Sequence, residues 1–182
     1  MIIAIVQARM GSSRLPDKVM KKVLEKPLID YLLERVSVVE KVDKIILATT
    51  TKPEDDCLAK HVASLGYDVF RGSEDDVLSR YYHAFYEFKD ELEKSNAIVR
   101  ITGDCPLVDY ELINSTQTIF NKNNYDLINN YSPRTFPHGY DFEIFNDDVI
   151  KITWEKISKT FNNKPLFQSS VIPPMKFILD SS

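Results

Sequence analysis

The sequence contains little of several residue types, and each shortage excludes a class of protein. Its 182 residues include only two cysteines, Cys57 and Cys105, too few for a disulfide framework. No apolar run approaches the roughly 20 residues that a membrane-spanning helix needs. The formal net charge is −4 and no basic block occurs, which argues against nucleic-acid binding. The apolar run over 2–6 is too short for a signal peptide, so we expect a cytoplasmic protein with neither nucleic acid nor membrane as a partner.

Apolar residues make up 43% of the chain, which is enough for the core of one domain. Short apolar runs alternate with stretches of helical periodicity, which predicts an α/β fold with a mostly parallel sheet between helical layers. The domain is expected to span 1–158, followed by an irregular tail over 159–182. Strands are predicted over 2–6, 44–49, 67–70 and 97–102, with weaker candidates over 126–129 and 142–145. Helices are predicted over 27–39, 53–66, 73–92, 110–120 and 147–157.

The basic loop, residues 7–18, directly follows the first predicted strand and carries Arg9, Arg14 and Lys18. Gly11 permits a tight turn, and the serines at 12 and 13 add hydroxyl groups. Cationic side chains and free backbone N–H groups are what a triphosphate requires. A solvated basic loop is the alternative, but ligands of parallel sheets bind beyond the carboxyl ends of strands. The spacing matches neither the Walker nor the dinucleotide-binding pattern.

Carboxylates also lie next to two further predicted strands, after the end of one and at the start of the other. Asp104 comes after the strand over 97–102, beside Gly103, and suits either Mg²⁺ or the backbone N–H groups of a turn. Asp141 and Glu143 alternate along an extended segment and should project to one face. Two carboxylates on one face suit a hard cation. Alternatively, the two side chains form a polar stripe that only faces solvent. Because the segments over 8–18, 71–73 and 103–105 each follow a predicted strand, we expect them to meet at one edge of the sheet.

Five segments of the chain together resemble the acylneuraminate cytidylyltransferase family. The most similar branch is the spore-coat polysaccharide biosynthesis (SpsF-like) type, which is similar to CMP-sialic acid and CMP-KDO synthetases. The matching segments are IVQARMGSSRLP at 5–16, ATT at 48–50, FRGSEDDVL at 70–78, RITGDCPL at 100–107 and GYDFE at 139–143. The resemblance implies a three-layer, Rossmann-like fold of the nucleotide-diphospho-sugar transferase type.

The resemblance also implies an activity, in which a sugar reacts with CTP to give a CMP-sugar and pyrophosphate for polysaccharide biosynthesis. Arg14, Lys18 and Asp104 are then the expected catalytic residues, and Mg²⁺ is expected between Asp104 and Asp141. The residues expected to bind the nucleotide are Ala8, Arg9, Gly11, Ser12, Ser13, Arg14, Lys18, Arg71, Ser73 and Gly103. The partners are CTP and a sugar, and a homodimer is compatible with the resemblance.

The segment over 132–139 is rich in proline and carries Arg134 and His138, which are candidates for contact with the sugar. Glu143 is a further candidate there and a less secure partner for the metal. A plain connecting loop is an equal alternative for this segment.

Two other functions stay open at this point. A glycosyltransferase of similar architecture would also use metal-binding carboxylates, but its usual Asp-x-Asp pair is absent after a central strand. A truncated, non-catalytic nucleotide-binding or assembly module is the second alternative. It is motivated by residues 164–182, where we do not find the Arg-Glu-His-containing segment that family members usually carry.

Overall fold

The computed structural model describes residues 2–12, 14–89 and 97–161. Within these residues the chain forms strands and α-helices in nearly alternating order. They are β1 (Ile2–Gln7), β2 (Lys22–Val23), β3 (Lys26–Pro27), α1 (Leu28–Ser37), β4 (Val42–Thr50), α2 (Asp56–Ser64), β5 (Asp68–Gly72), α3 (Val77–Lys89), β6 (Ala97–Thr102), α4 (Tyr110–Asn123), β7 (Leu127–Asn129), β8 (Phe142–Asn146) and α5 (Asp147–Phe161).

Six of these strands form one sheet in the order β5-β4-β1-β6-β8-β7. The four strands from β5 to β6 are mutually parallel, and β8 runs antiparallel to both β6 and β7. β2 and β3 form a separate small hairpin. The prediction of a mostly parallel sheet is therefore confirmed.

The core lies on both faces of this sheet, because β1 turns alternate side chains to opposite sides. Ala4 and Val6 pack with the apolar faces of α1, α2 and α4. Ile3 and Ile5 pack with those of α3 and α5 on the other face. All four side chains are essentially inaccessible to water. A sheet buried on both faces requires the continuous apolar run seen over 2–6, and the predicted three-layer arrangement is confirmed.

Most predicted helix boundaries differ from the structure by one to four residues, and the two largest differences concern the third and the last helix. The helix expected from residue 73 begins at Val77, because Asp76 caps it by accepting the Ser79 N–H at 2.8 Å. Ser73 instead closes the preceding turn by accepting the Asp76 N–H at 3.1 Å. The last helix runs to Phe161 rather than to 157 and so passes the domain boundary placed at 158. The rest of the expected tail, 162–182, lies outside the described residues.

None of the helices in the described ranges is long and apolar enough to cross a bilayer.

Candidate active site

A cavity of about 1060 Å³ opens beyond the carboxyl ends of β1 and β6. The chain continues from β1 to β4 on one side, whereas β6 lies on the other side of β1, so the cavity occupies the point where strand order reverses. Such switch points are where open α/β sheets bind ligands. Its volume lies just above the range of roughly 300–1,000 Å³ that is typical of ligand pockets. The cavity therefore has room for a nucleotide together with a second substrate.

The turns after β1 and β6 touch each other at the floor of this cavity. The Gly103 N–H donates to the Gln7 carbonyl at 2.7 Å. A Cβ atom on Gly103 would lie only 2.6 Å from the Ala8 Cβ and 3.1 Å from the Gln7 oxygen. A side chain at 103 would therefore push the two turns apart. This close approach explains why a glycine faces an alanine here.

The basic loop is built around the peptide groups of Met10. The Met10 carbonyl accepts the N–H groups of Ser12 at 2.8 Å and Asp17 at 3.1 Å, which closes the loop on itself. Asp17 takes the left-handed conformation, with φ of 57°. The sequence placed the special backbone conformation at Gly11, but the φ angle of Gly11 lies outside the left-handed region. Ser13 lies outside the described residues.

The three cations of the basic loop line the cavity but differ in their partners. Arg9 donates to Glu74 at 2.6 Å, and Lys18 donates to Asp104 at 2.7 Å. Glu74 also pairs with Lys52; the Lys52 hydrogen bond and the Arg9 charge together hold the pKa of Glu74 below its ordinary value. Arg14 is exposed and makes no ion pair with any residue that the structure describes. Arg14 is therefore the cation most open to an incoming phosphate.

The two carboxylates expected to hold a metal line this same cavity, each beside a cation. Asp104 pairs with Lys18, and Arg134 donates to both oxygens of Asp141 at 2.7 and 3.0 Å. Burial alone would raise the pKa of Asp104, but hydrogen bonds from Lys18 and Thr102 outweigh it and hold that pKa below its ordinary value. The Asp104 carboxylate is therefore held in its anionic form beside Lys18.

Glu143 does not take part in this site, contrary to the prediction that it faces a sugar or a metal. Its side chain is 2% exposed and accepts from Arg100 at 2.5 Å and from the Tyr131 hydroxyl. Burial raises the pKa of Glu143 even with the Arg100 charge beside it. Asp141 precedes β8, whereas Glu143 lies within it, opposite Arg100 on β6. Pairing with a neighbouring strand buries Glu143, which alternation along one segment cannot indicate.

Arg71 and Ser73 also lie away from the cavity wall, although the resemblance placed them near the nucleobase. Arg71 donates to the carbonyls of Thr50 at 2.8 Å and Lys52 at 2.9 Å and pairs with Asp56. The segment that does reach the cavity is the one just after them, with Glu74, Asp75 and Val77.

Sequence reasoning missed several residues that shape the site. Asp55 is 1% exposed and accepts the Met10 N–H at 2.6 Å. Arg80, for which the sequence leaves contact with the site and a salt bridge equally open, is just as buried, lines the cavity and donates to the Ser73 carbonyl at 2.5 Å. Tyr131 also lines the cavity. Asp55 follows a proline and a glutamate, so its sequence context resembles an ordinary acidic first turn of a helix.

The sugar-side candidates Arg134 and His138 do line the cavity, together with Gly139, which takes a φ of 97°. The segment that carries them precedes β8, whose first residue, Phe142, pairs with Ile101 near the carboxyl end of β6. Across the described ranges, no group of three or more histidine, cysteine, aspartate or glutamate side chains is placed to hold a metal by itself. A cation bound by Asp104 and Asp141 would therefore need further ligands from a substrate and water.

Comparison with known protein families gives one match that covers nearly the whole chain. A family model described as Cytidylyltransferase matches residues 3–178.

Curated relatives include an uncharacterised protein of Methanocaldococcus jannaschii, 39% identical over 90% of this chain and 64% of its own length. The spore coat polysaccharide biosynthesis protein SpsF of Bacillus subtilis is 41% identical over 62% of this chain and 46% of its own. A 3-deoxy-manno-octulosonate cytidylyltransferase of Thermodesulfovibrio yellowstonii is 24% identical over 85% of this chain and 59% of its own. The chain therefore spans less than two thirds of each of these relatives.

Solved structures show the same fold. A cytidylyltransferase from Leptospira borgpetersenii superposes with a TM-score of 0.84 at 27% sequence identity. The superposition covers 99% of this chain and 72% of the Leptospira chain. A CMP-2-keto-3-deoxy-manno-octonic acid synthetase in complex with CTP superposes with a TM-score of 0.67 at 14% identity, covering 99% of this chain and 83% of its own. The second likeness concerns the fold alone.

Proposed function

Because this chain belongs to the cytidylyltransferase family, we propose that it transfers the cytidylyl group of CTP to a hydroxyl of a sugar and releases pyrophosphate. The product would be a CMP-sugar for polysaccharide biosynthesis, as the name of the Bacillus subtilis relative suggests. The sugar hydroxyl would form a bond to the α-phosphorus while the bond from that phosphorus to the bridging oxygen breaks. Reactions of this kind depend on positioning and on neutralisation of phosphate charge.

The observation that carries the proposal is that one cavity holds both the cations and the carboxylates that this reaction needs. Arg9, Arg14 and Lys18 approach it from the turn after β1, and Asp104 approaches from the turn after β6. Asp141 and Arg134 line it from the segment before β8. A triphosphate between these groups would meet positive charge along its length. A sugar would lie towards Arg134 and His138.

We propose distinct roles for the cations of the basic loop. Arg14 would make the first contact with the triphosphate, because it has no carboxylate to leave among the described residues. Arg9 and Lys18 would follow by exchanging Glu74 and Asp104 for phosphate oxygens. Charge-assisted hydrogen bonds of this kind are short and about twice as strong as neutral ones. They would hold the α-phosphate in line with the attacking hydroxyl.

Mg²⁺ is the cation that we propose for Asp104 and Asp141. The fit rests on the donor set, since two carboxylates line one cavity and Mg²⁺ typically takes one or two carboxylates with phosphate oxygens and water. When bound, it would supply charge neutralisation at the phosphates. Arg134 and Lys18, released from these carboxylates, would then be free to bind substrate oxygens.

The direct test is pyrophosphate release by the purified chain with CTP, UTP, GTP or ATP, in the presence of Mg²⁺ and a panel of acidic and neutral sugars. We expect release with CTP that depends on one of the sugars and on Mg²⁺. Asp104→Asn keeps the shape of the side chain but removes its charge, and it should abolish release while leaving the protein folded.

Three results would count against the proposal. Full activity in Asp104→Asn would exclude its proposed role, and release of nucleoside diphosphate from a nucleotide-sugar would favour a glycosyltransferase. Folded wild-type protein that is inactive with every nucleotide and sugar would favour the non-catalytic module.

A further inference from the structure

The basic loop is tied to the rest of the domain through a buried carboxylate that the proposed reaction does not use. Asp55 is 1% exposed and ends the short 3-10 turn Pro53–Asp55 that precedes α2. Its Oδ1 accepts the Met10 N–H at 2.6 Å in a buried hydrogen bond. Its Oδ2 accepts the hydroxyl of Thr50, at the end of β4. The carboxylate therefore joins the turn after β1 to the neighbouring strand.

Met10 is the point on which the conformation of the loop depends. Its carbonyl accepts the N–H groups of Ser12 and Asp17, so both halves of the loop rest on this one residue. Its N–H group is held by Asp55. The peptide groups before and after Met10 are therefore both fixed, and neither can rotate without breaking hydrogen bonds. Arg9 directly precedes Met10, and Arg14 lies between Ser12 and Asp17, whose N–H groups the Met10 carbonyl accepts. The direction in which these two arginines leave the loop thus depends on Asp55.

We propose that Asp55 is a positioning residue for the triphosphate, acting through the Met10 peptide on Arg9 and Arg14. This inference rests on the proposed function, because it assumes that the basic loop binds the phosphates of CTP. Asp55 itself does not line the cavity.

This role predicts an effect opposite in sign to that of simple electrostatics. A carboxylate near the basic loop opposes the binding of an anion, so removing its charge should tighten triphosphate binding if charge were its only contribution. If Asp55 acts by holding Met10, removing its hydrogen-bond acceptor should weaken binding. A buried N–H group without an acceptor would also force the loop to rearrange.

Two substitutions at the same position separate these effects. Asp55→Ala removes both the charge and the acceptor. Asp55→Asn removes the charge but keeps an oxygen that can accept the Met10 N–H, at the expense of the Thr50 hydroxyl, which would lose its acceptor. Asp109→Ala is the matched control, because Asp109 also holds a backbone N–H group, that of Leu112 at 3.0 Å, and lies outside the cavity.

The experiment is calorimetric titration of wild type and the three variants with CTP and, separately, with inorganic triphosphate, together with thermal unfolding of each protein. We expect Asp55→Ala to lower the affinity for both ligands at least tenfold. Asp55→Asn should bind within about threefold of wild type although its melting temperature falls, and Asp109→Ala should melt earlier with unchanged affinity. Equal or tighter binding by Asp55→Ala would overturn the proposal, as would equal losses in the alanine and asparagine variants.

Amide hydrogen exchange decides the matter if Asp55→Ala does not fold. In the wild type and in Asp55→Asn, the Met10 amide should exchange as slowly as the buried amides of β1, and exchange at the rate of an exposed loop amide would contradict the proposal. Wild-type protein that binds neither CTP nor inorganic triphosphate would refute the proposed function. In that case, the exchange rate of the Met10 amide alone would test whether Asp55 fixes the Met10 N–H group.

Discussion

At the scale of single residues, Arg14 is the side chain on which the phosphate assignment depends most. It is exposed at the cavity and makes no ion pair within the described part of the chain. A charge-assisted hydrogen bond contributes roughly 1.5–3 kcal/mol, so Arg14→Ala should weaken CTP binding by about tenfold to a hundredfold. Titration calorimetry measures this directly. Lys60→Ala, which removes an exposed cation on α2 outside the cavity, should leave the affinity unchanged.

Equal affinities in wild type, Arg14→Ala and Lys60→Ala would remove Arg14 from the site.

Asp104 makes a separate prediction about stability and pH. Its pKa is held below the ordinary value of 3.8, so its ion pair with Lys18 stabilises the folded state above that pH. This contribution is lost as the pH falls through the lowered pKa, because the carboxylate must then take up a proton. We expect Asp104→Asn to melt slightly below wild type at pH 6, since the group is half-exposed and screened.

The two melting curves should converge as the pH is lowered below 3.8. A difference in melting temperature that stays constant between pH 6 and pH 3 would contradict the role of this ion pair in stability.

At the scale of elements, the contact between the turns after β1 and β6 is what brings cations and carboxylate together. Gly103→Ala would place a methyl group 2.6 Å from the Ala8 Cβ. Overpacking of this kind typically costs about 1–3 kcal/mol, and here it should also separate Asp104 from Lys18 and weaken CTP binding. Urea unfolding and CTP titration measure the two effects.

The double variant Ala8→Gly/Gly103→Ala provides the control for this prediction. Removing the Ala8 methyl group relieves the shortest contact, whereas the approaches to the Gln7 oxygen at 3.1 Å and to the Ala8 Cα at 3.3 Å remain. We therefore expect partial recovery of both stability and binding, seen as a coupling energy between the two positions. Additive losses in the double variant would show that the two turns do not press on each other.

The elements themselves were predictable from the sequence to different degrees. β1 carries a continuous apolar run over 2–6, and β4 and β6 carry shorter ones over 45–48 and 97–99, which is the pattern of strands buried on both faces. The hairpin of β2 and β3 was not predicted, because two-residue strands of lysine, valine and proline carry no periodicity and their turn contains no glycine. Leu24 and Glu25 take positive φ angles in that turn, which residue type alone does not indicate.

At the scale of the whole molecule, the topology explains why part of the site was predictable. Arg9, Arg14, Lys18 and Asp104 follow parallel strands, so they meet at the carboxyl edge whatever the details of packing. The positions of Glu143 and Asp55 depend on which neighbours bury them, Arg100 in one case and Met10 in the other. Such pairings between distant segments leave no periodic signal in the sequence. The edge of the sheet at which the site lies could therefore be predicted, but the buried hydrogen bonds that position its residues could not.

We propose that CTP binds where the turns after β1 and β6 meet. The most direct measurement is a titration of ¹⁵N-labelled protein with CTP and Mg²⁺, followed through the backbone amide resonances. We expect the largest shifts over residues 8–12 and 102–105, with little change along α1 and α2. Saturable shifts confined to another surface, or no shifts at millimolar CTP, would contradict it.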